Sequence, residues 1–134
     1  MKKIIGILML TVGIVSGSQA QKLTAGKVPV AVKTAFTKLH PATKASWEME
    51  KNNYEAGFKL NGKKTSEVYT ANGVLIETEV AIKSTELPVA VLSKLRGVKI
   101  AESAKITKSD DTIRYEAEVN GKDLLFDAAG NPVK

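Results

Sequence analysis

Fourteen carboxylates, a single histidine and no cysteine are the chemistry available to this chain of 134 residues. An enzyme must place groups that exchange protons, attack carbon or hold a metal. Ser46 and Ser66 have no general base beside them in the pattern, and no glycine-rich run has the spacing of a phosphate loop. His40 precedes Pro41, where it is expected to cap a helix end or meet solvent, and it has no partner at metal-ligand spacing. The carboxylates that gather are Glu48, Glu50 and Glu55, followed by Glu77 and Glu79. Their alternation with other residue types predicts a flat strand face, whereas glycosidase-like chemistry needs an enclosed acid with a raised pKa. Calcium takes roughly six to eight oxygens, more than Glu48, Glu50 and Glu55 supply, so at best weak cation binding is expected of them. These residues predict no enzyme, no cofactor and no metal site.

The elements that position the carboxylates follow from periodicity. Val28, Val32, Ala35, Phe36 and Leu39 recur at i, i+4, i+7, i+8 and i+11, one face of an amphipathic helix. Lys33, Thr37 and Lys38 fall on its other face. Pro29 suits its first turn, where a missing N–H loses no partner, and Pro41 ends it by driving His40 out of the α region. The same grammar returns at Leu87-Pro88, with Val91, Leu95 and Val98 on one face and an end near Gly97. Each predicted helix is about three turns, too short to stand without a sheet beneath it.

From Trp47 the period drops to two. Trp47 and Met49 alternate with Glu48 and Glu50; after a turn at Asn52-Asn53, Tyr54, Ala56, Phe58 and Leu60 alternate with Glu55, Gly57 and Lys59. Asn61-Gly62 and Asn72-Gly73 are hairpin signals, because both residues of a tight turn must accept positive φ. Pairing outward from these turns sets Met49 against Ala56, Trp47 against Phe58, Tyr54 against Tyr69 and Tyr69 against Ile76. Trp47, Tyr54, Phe58 and Tyr69 then share the core side with Leu60 and Ile76. The other face carries Glu48, Glu50, Glu55, Glu77, Glu79, Lys59 and Lys64, with Val68 and Leu75 exposed among them. Glu50 falls opposite Glu55, a like-charge pair costing up to about 1 kcal/mol. Glu67 is the misfit: the same count puts it on the core side beside Ala56, at an expected bulge or barrel edge.

This hairpin is written twice. Tyr54-Glu55-Ala56, Asn61-Gly62 and Gly73 are echoed by Tyr115-Glu116-Ala117, Asn120-Gly121 and Gly130, each interval two residues shorter. A deletion of two keeps every inward residue inward. The second copy has a strand over residues 100–108, a turn at Asp110-Asp111, and a face shared by Ile113, Tyr115, Ala117, Val119, Leu124 and Phe126. Arg114, Glu116, Glu118, Asp123 and Asp127 point the other way, and Asn131-Pro132 stops a full fourth strand. The predicted class is α+β: two tandem units, each a helix plus an antiparallel meander, with the helices on one sheet face.

The first twenty residues read as a cleaved leader. Lys2 and Lys3 precede an apolar run over residues 4–15, shorter than the roughly 20 residues of a membrane span, and Ser18-Gln19-Ala20 supplies small residues for a cut after Ala20. The domain reading is leader 1–20, first unit 21–83 and second unit 84–134, packed as one body. Export to the periplasm or cell exterior fits a chain without cysteine. It also argues against nucleic acid as the partner of the lysine-rich residues 21–47, whose lysines are expected on a solvated helix face. Removing Lys2 and Lys3 takes the formal net charge from +6 to +4.

A Val-Pro or Leu-Pro helix start, a Trp47-Glu48 strand, Tyr54-Glu55-Ala56 and a glycine-closed hairpin together resemble the PepSY-like family of small exported bacterial proteins. That family is also described as similar to the beta-lactamase inhibitor proteins. The resemblance covers residues 28–133 and is carried by Pro29, Phe36, Trp47, Glu48, Tyr54, Glu55, Ala56, Phe58, Gly62, Tyr69, Gly73 and Leu87-Pro88. It implies a fold of two tandem helix-plus-meander units and a role in binding or inhibition, without catalysis.

The functional expectation is an exported binding module that meets a protein or peptide, basic in character, through Glu48, Glu50, Glu55, Val68, Leu75, Glu77 and Glu79. The alternative from another class is an envelope-associated protein whose helices touch anionic surfaces through Lys33, Lys38 and Lys44.

Overall fold

The computed structural model describes residues 21–134; the leader and its cut after Ala20 lie outside them. Strand β1 (Gln21–Leu23) leads through a short 3-10 turn into helix α1 (Val30–Leu39), then β2 (Ser46–Glu50), β3 (Asn53–Leu60), β4 (Lys63–Tyr69) and β5 (Leu75–Ile82). From β5 a second 3-10 turn leads into α2 (Val89–Lys94), followed by β6 (Glu102–Lys108), β7 (Ile113–Val119) and β8 (Lys122–Phe126). All eight strands form one antiparallel sheet in sequential order, β1 to β8, with β1 and β8 at its open edges.

Proline sets both helix starts. α1 begins directly after Pro29 and ends where the His40 N–H donates to the Phe36 carbonyl at 2.8 Å, one residue before Pro41. α2 begins directly after Pro88 but lasts only six residues, less than the three turns expected. Leu95 leaves the helix and Gly97, at φ +79°, reverses the chain. Val98 is consequently outside the core, 41% exposed.

Two apolar clusters lie between the helices and the sheet. Val28, Val32 and Phe36 pack on Trp47, Ala56, Phe58 and Tyr69, and Leu87, Val91 and Leu95 pack on Ala117 and Phe126. The strand register places both clusters on the same sheet face. Trp47, Phe58 and Tyr69 are core residues, as their alternation predicts. Phe36 anchors the first cluster, its ring centroid 5.6 Å from Trp47 and 5.1 Å from Phe58, both edge-on.

Two glycines fix how close the helices come. A Cβ on Gly73, at φ +86°, would stand 2.6 Å from the Ala31 carbonyl oxygen; on Gly130, at φ +85°, it would stand 2.8 Å from that of Ala90. Each helix therefore rests its first turn against a turn that only glycine can occupy.

Three local readings are corrected by the register. The β2–β3 turn is at Lys51-Asn52, with Lys51 at φ +60°, so Met49 pairs with Tyr54, Trp47 with Ala56, and Glu48, not Glu50, with Glu55. Lysine at positive φ carries no asparagine-like signal, and the adjacent Asn52-Asn53 drew the turn one residue late. A bulge between Val68 and Tyr69 pairs Tyr69 with Leu75, which turns Leu75 toward the helices, where it joins the first cluster. β1, read from sequence as loop, adds an edge strand paired with β2.

Glu67 does lie beside Ala56, in regular register. It is buried there because it has partners: the Tyr69 hydroxyl donates to Oε1 at 2.6 Å and His40 Nε2 lies 2.9 Å from Oε2. His40 is thus neither a simple cap nor a solvent contact. Its ring lies tilted between Phe36 and Phe58, with centroids at 5.0 and 4.7 Å, and closes the C-terminal end of α1 onto the sheet.

Candidate functional site

The sheet face away from the helices carries the carboxylates in rows that cross the strands. One row runs Glu48, Glu55, Val68, Glu77, Lys108, and the next runs Gly57, Ser66, Glu79, Ile106, Arg114. A third runs Ala81, Ala104, Glu116, Leu125, and a fourth Glu102, Glu118, Asp123. Alternation along the strands, together with the short turns, is what aligns them.

The face is far less accessible than a flat strand surface. Glu55 and Glu79 are each 1% exposed, Glu116 3% and Val68 6%. Glu48, Glu50 and Glu77 are half-buried. Of the residues singled out in the sequence, six share this face and Leu75 alone does not.

Neither carboxylate oxygen of Glu55 or of Glu79 has a hydrogen-bond partner, and one oxygen each of Glu48 and Glu50 is likewise buried and bare. Carboxyls as deeply buried as Glu55 and Glu79 stay protonated. Burial, followed by repulsion from Glu50, raises Glu55 to about 9. Ser66 Oγ, itself without a partner of good geometry, lies near enough to take part of that rise back. Burial and then the neighbouring Glu77 raise Glu50 to about 7. Glu116 is raised to about 8 by burial and Asp123, and Asp123 to about 6 by burial, Glu118 and Glu102. Glu79 is raised well above the usual carboxylate range by burial and the adjacent Glu116, with which it can share a proton. Glu55, Glu79 and Glu116, which sequence alternation laid on a flat surface, thus form an enclosed layer that is largely neutral at pH 7.

Among the described residues, no group of three or more histidine, aspartate or glutamate side chains is disposed to hold a metal ion. His40 is on the opposite face, and Ser46 donates only to the Gly57 carbonyl at 3.4 Å. Ser66 does lie beside a carboxyl, but that carboxyl, Glu55, is raised to about 9 and holds its proton at neutral pH.

At one end of the face lies a cavity of about 250 Å³. Val68, Ile76, Ile106 and Leu125 give it apolar walls; Glu50, Glu77 and Glu116 line it together with Lys51, Lys108, Arg114 and Lys134. No ion pair within 4.0 Å joins these four cations to the three carboxylates. Sequence reasoning missed Ile106, Lys108 and Leu125 as site residues. Their signal was available, because the second hairpin repeats the alternation of the first.

Strand order and this face place the chain among known structures. A BLIP-like protein from Bacteroides fragilis superposes with a TM-score of 0.62 at 20% identity, over 92% of this chain and 87% of that one. The chain has a BLIP-like fold. The same BLIP-like architecture superposes on a candidate periplasmic protein from Bacteroides eggerthii with a TM-score of 0.72 at 20% identity, over 81% of this chain and 88% of that one. A DUF2874 family protein from Bacteroides uniformis gives 0.70 at 18% identity, over 79% and 86%. No family model and no curated protein matches the sequence. No helix among the described residues is long and apolar enough to cross a membrane.

Proposed function

We propose that this BLIP-like chain is an exported, non-enzymatic binding module that engages a protein or extended peptide through its helix-free face, in the manner of an inhibitor. The observation that carries the reading is the layer of carboxyls at Glu55 and Glu79, each 1% exposed, with no hydrogen bond of good geometry and only Ser66 and Glu116 beside them. Native folds rarely leave such groups bare without a use for them. Glu48, Glu50 and Glu77 form the accessible rim, with Glu55, Val68 and Glu79 beneath. Leu75 is withdrawn from the set, because the bulge turns it to the helices. Basic side chains on the partner complement this rim, steering encounter more than setting affinity.

The same reading takes the chain as two tandem PepSY-like units of α+β type, divided near residue 83 and packed as one body. Its support is the matched pair of contacts, Gly73 on Ala31 and Gly130 on Ala90, and the strand, turn, proline and helix order that occurs at β1 and again at β5. Export after removal of residues 1–20, to the periplasm or cell exterior, belongs to the reading, and the periplasmic description of one structural neighbour supports it.

Capture from periplasmic extract compares wild type with a Glu50→Lys, Glu77→Lys variant. Loss of specific partners in the variant is expected; identical partner sets would remove the proposal. A surface role for the end of α1 and the loop after it is favoured by Lys38 and Lys44, both exposed, with Leu39 at 54% exposure. Each lysine near an anionic membrane contributes about 1 kcal/mol, so co-sedimentation with anionic vesicles at low salt checks it, and no sedimentation rejects it.

A further inference from the structure

We propose that the cavity between Val68, Ile106, Arg114 and Leu125 receives the C-terminal residue of a peptide, its carboxylate against Lys108 and Arg114 and its apolar side chain on the walls. The inference deepens the binding reading above by naming which part of a partner the face would hold.

Size comes first. Small-molecule sites usually span about 300–1,000 Å³, so a cavity of about 250 Å³ admits roughly one residue. Its apolar walls, Val68, Ile76, Ile106 and Leu125, come from β4, β5, β6 and β8, and they fit an aliphatic side chain.

Charge decides the other end of the occupant. Four side-chain cations surround this space with the Glu50, Glu77 and Glu116 carboxyls and the α-carboxylate of Lys134 itself, and none of the three glutamates pairs with a cation within 4.0 Å, although Glu77 and Lys108 are direct cross-strand partners. Arg114 donates only to the Ile113 carbonyl at 3.2 Å, leaving most of its guanidinium donors available for the planar, bidentate recognition of a carboxylate. Glu50 and Glu116 are held toward their neutral forms, at about 7 and about 8. At neutral pH the cations therefore outweigh the acids, and protonated carboxyls add hydrogen-bond donors. An anionic head on an apolar body fits this lining, and a peptide terminus offers both on one residue. Upstream basic residues would then lie over Glu48 and the rest of the acidic rim.

Isothermal titration of the mature chain with N-acetyl-Lys-Lys-Ala-Leu as free acid and as C-terminal amide tests the inference. The free acid should bind and the amide should bind at least about tenfold more weakly. Arg114→Gln should erase that difference while leaving the unfolding midpoint near wild type. Affinity for the free acid should fall from about pH 6 to about pH 9, as Glu50 and Glu116 ionise against the positive Lys51, Lys108, Arg114 and Lys134. Equal binding of acid and amide, affinity rising with pH, or no binding of either peptide at millimolar concentration overturns the inference. N-acetyl-leucine binding as tightly as the tetrapeptide also overturns it, in favour of a small-carboxylate site. These outcomes are separate from partner capture by the Glu50 and Glu77 rim, which tests the binding module itself.

Discussion

The Tyr69 hydroxyl donates to Glu67 at 2.6 Å under the end of α1, and the other oxygen of the same carboxylate lies 2.9 Å from His40. A buried acid is thereby tied to strand and helix at once. Removing it leaves a hydroxyl and an imidazole without a partner, each loss worth about 1–3 kcal/mol. Glu67→Ala should therefore destabilise by more than Tyr69→Phe, as read by urea unfolding. Equal midpoints for wild type and Glu67→Ala would show that this junction holds nothing together.

Gly73 and Gly130 should tolerate alanine poorly. Both lie at positive φ, and the new Cβ meets a backbone oxygen at 2.6 or 2.8 Å that cannot step aside without moving its helix. Gly62 and Gly121 share the positive φ but have nothing within 4 Å. Alanine at Gly62 or Gly121 should cost about 1 kcal/mol of backbone strain, and at Gly73 or Gly130 clearly more. Denaturation of the four variants side by side makes the comparison.

Stability should decline as pH rises. For Glu55 and Glu116 the folded pKa, about 9 and about 8, stands above the ordinary glutamate value of 4.5. Between those values the folded state holds protons that the unfolded chain has released, so the slope of unfolding free energy with pH is negative. The stabilisation is whole below about pH 4.5 and is lost as pH passes through 8 and 9. A loss on the order of a few kcal/mol is expected between about pH 5 and about pH 9. Glu55→Gln should flatten the curve, and an equally steep curve in that variant would place the protons elsewhere.

Because β5 pairs with both β4 and β6, the chain should unfold in a single transition. A chain ending at Lys83 would bare β5 along its whole length and should aggregate or melt near ambient temperature. Two separated calorimetric transitions, or a soluble, folded half, would show independent units.

Much of the frame was legible because strands have a period of two. The β2–β3 turn was read one residue late, which moved every partner in that hairpin by two, so Trp47 and Met49 kept their face while their neighbours changed. The bulge at Tyr69 inserts one residue, and a shift of one moved Leu75 to the opposite face. Turn chemistry announced Asn61-Gly62 and Asn120-Gly121, both at positive φ in the structure, but nothing comparable marks a bulge beside tyrosine. The role of Glu67 was out of reach for a different reason: its partner His40 is 27 residues away and meets it only once α1 lies on the sheet. Enclosure of the acids was hidden as well, since alternation reports which face a side chain takes and not how deeply that face is buried.

The sequential strand order also bears on how the chain reaches its fold. No strand waits for a partner from a distant part of the sequence; five of the seven strand pairings are direct hairpins, and only the β1–β2 and β5–β6 pairings must close around a helix. Closing entropy rises with loop length, so the tight turns at Lys51, Asn61 and Asn120 come early and the two helix-bearing closures come last. Those closures are the steps guarded by Pro29 and Pro88 at one end and by Gly73 and Gly130 against the helix backbones. Docking of two short helices onto hairpins already formed is the step this topology would be expected to leave last, a local search of the kind that favours faster folding in a β-rich chain.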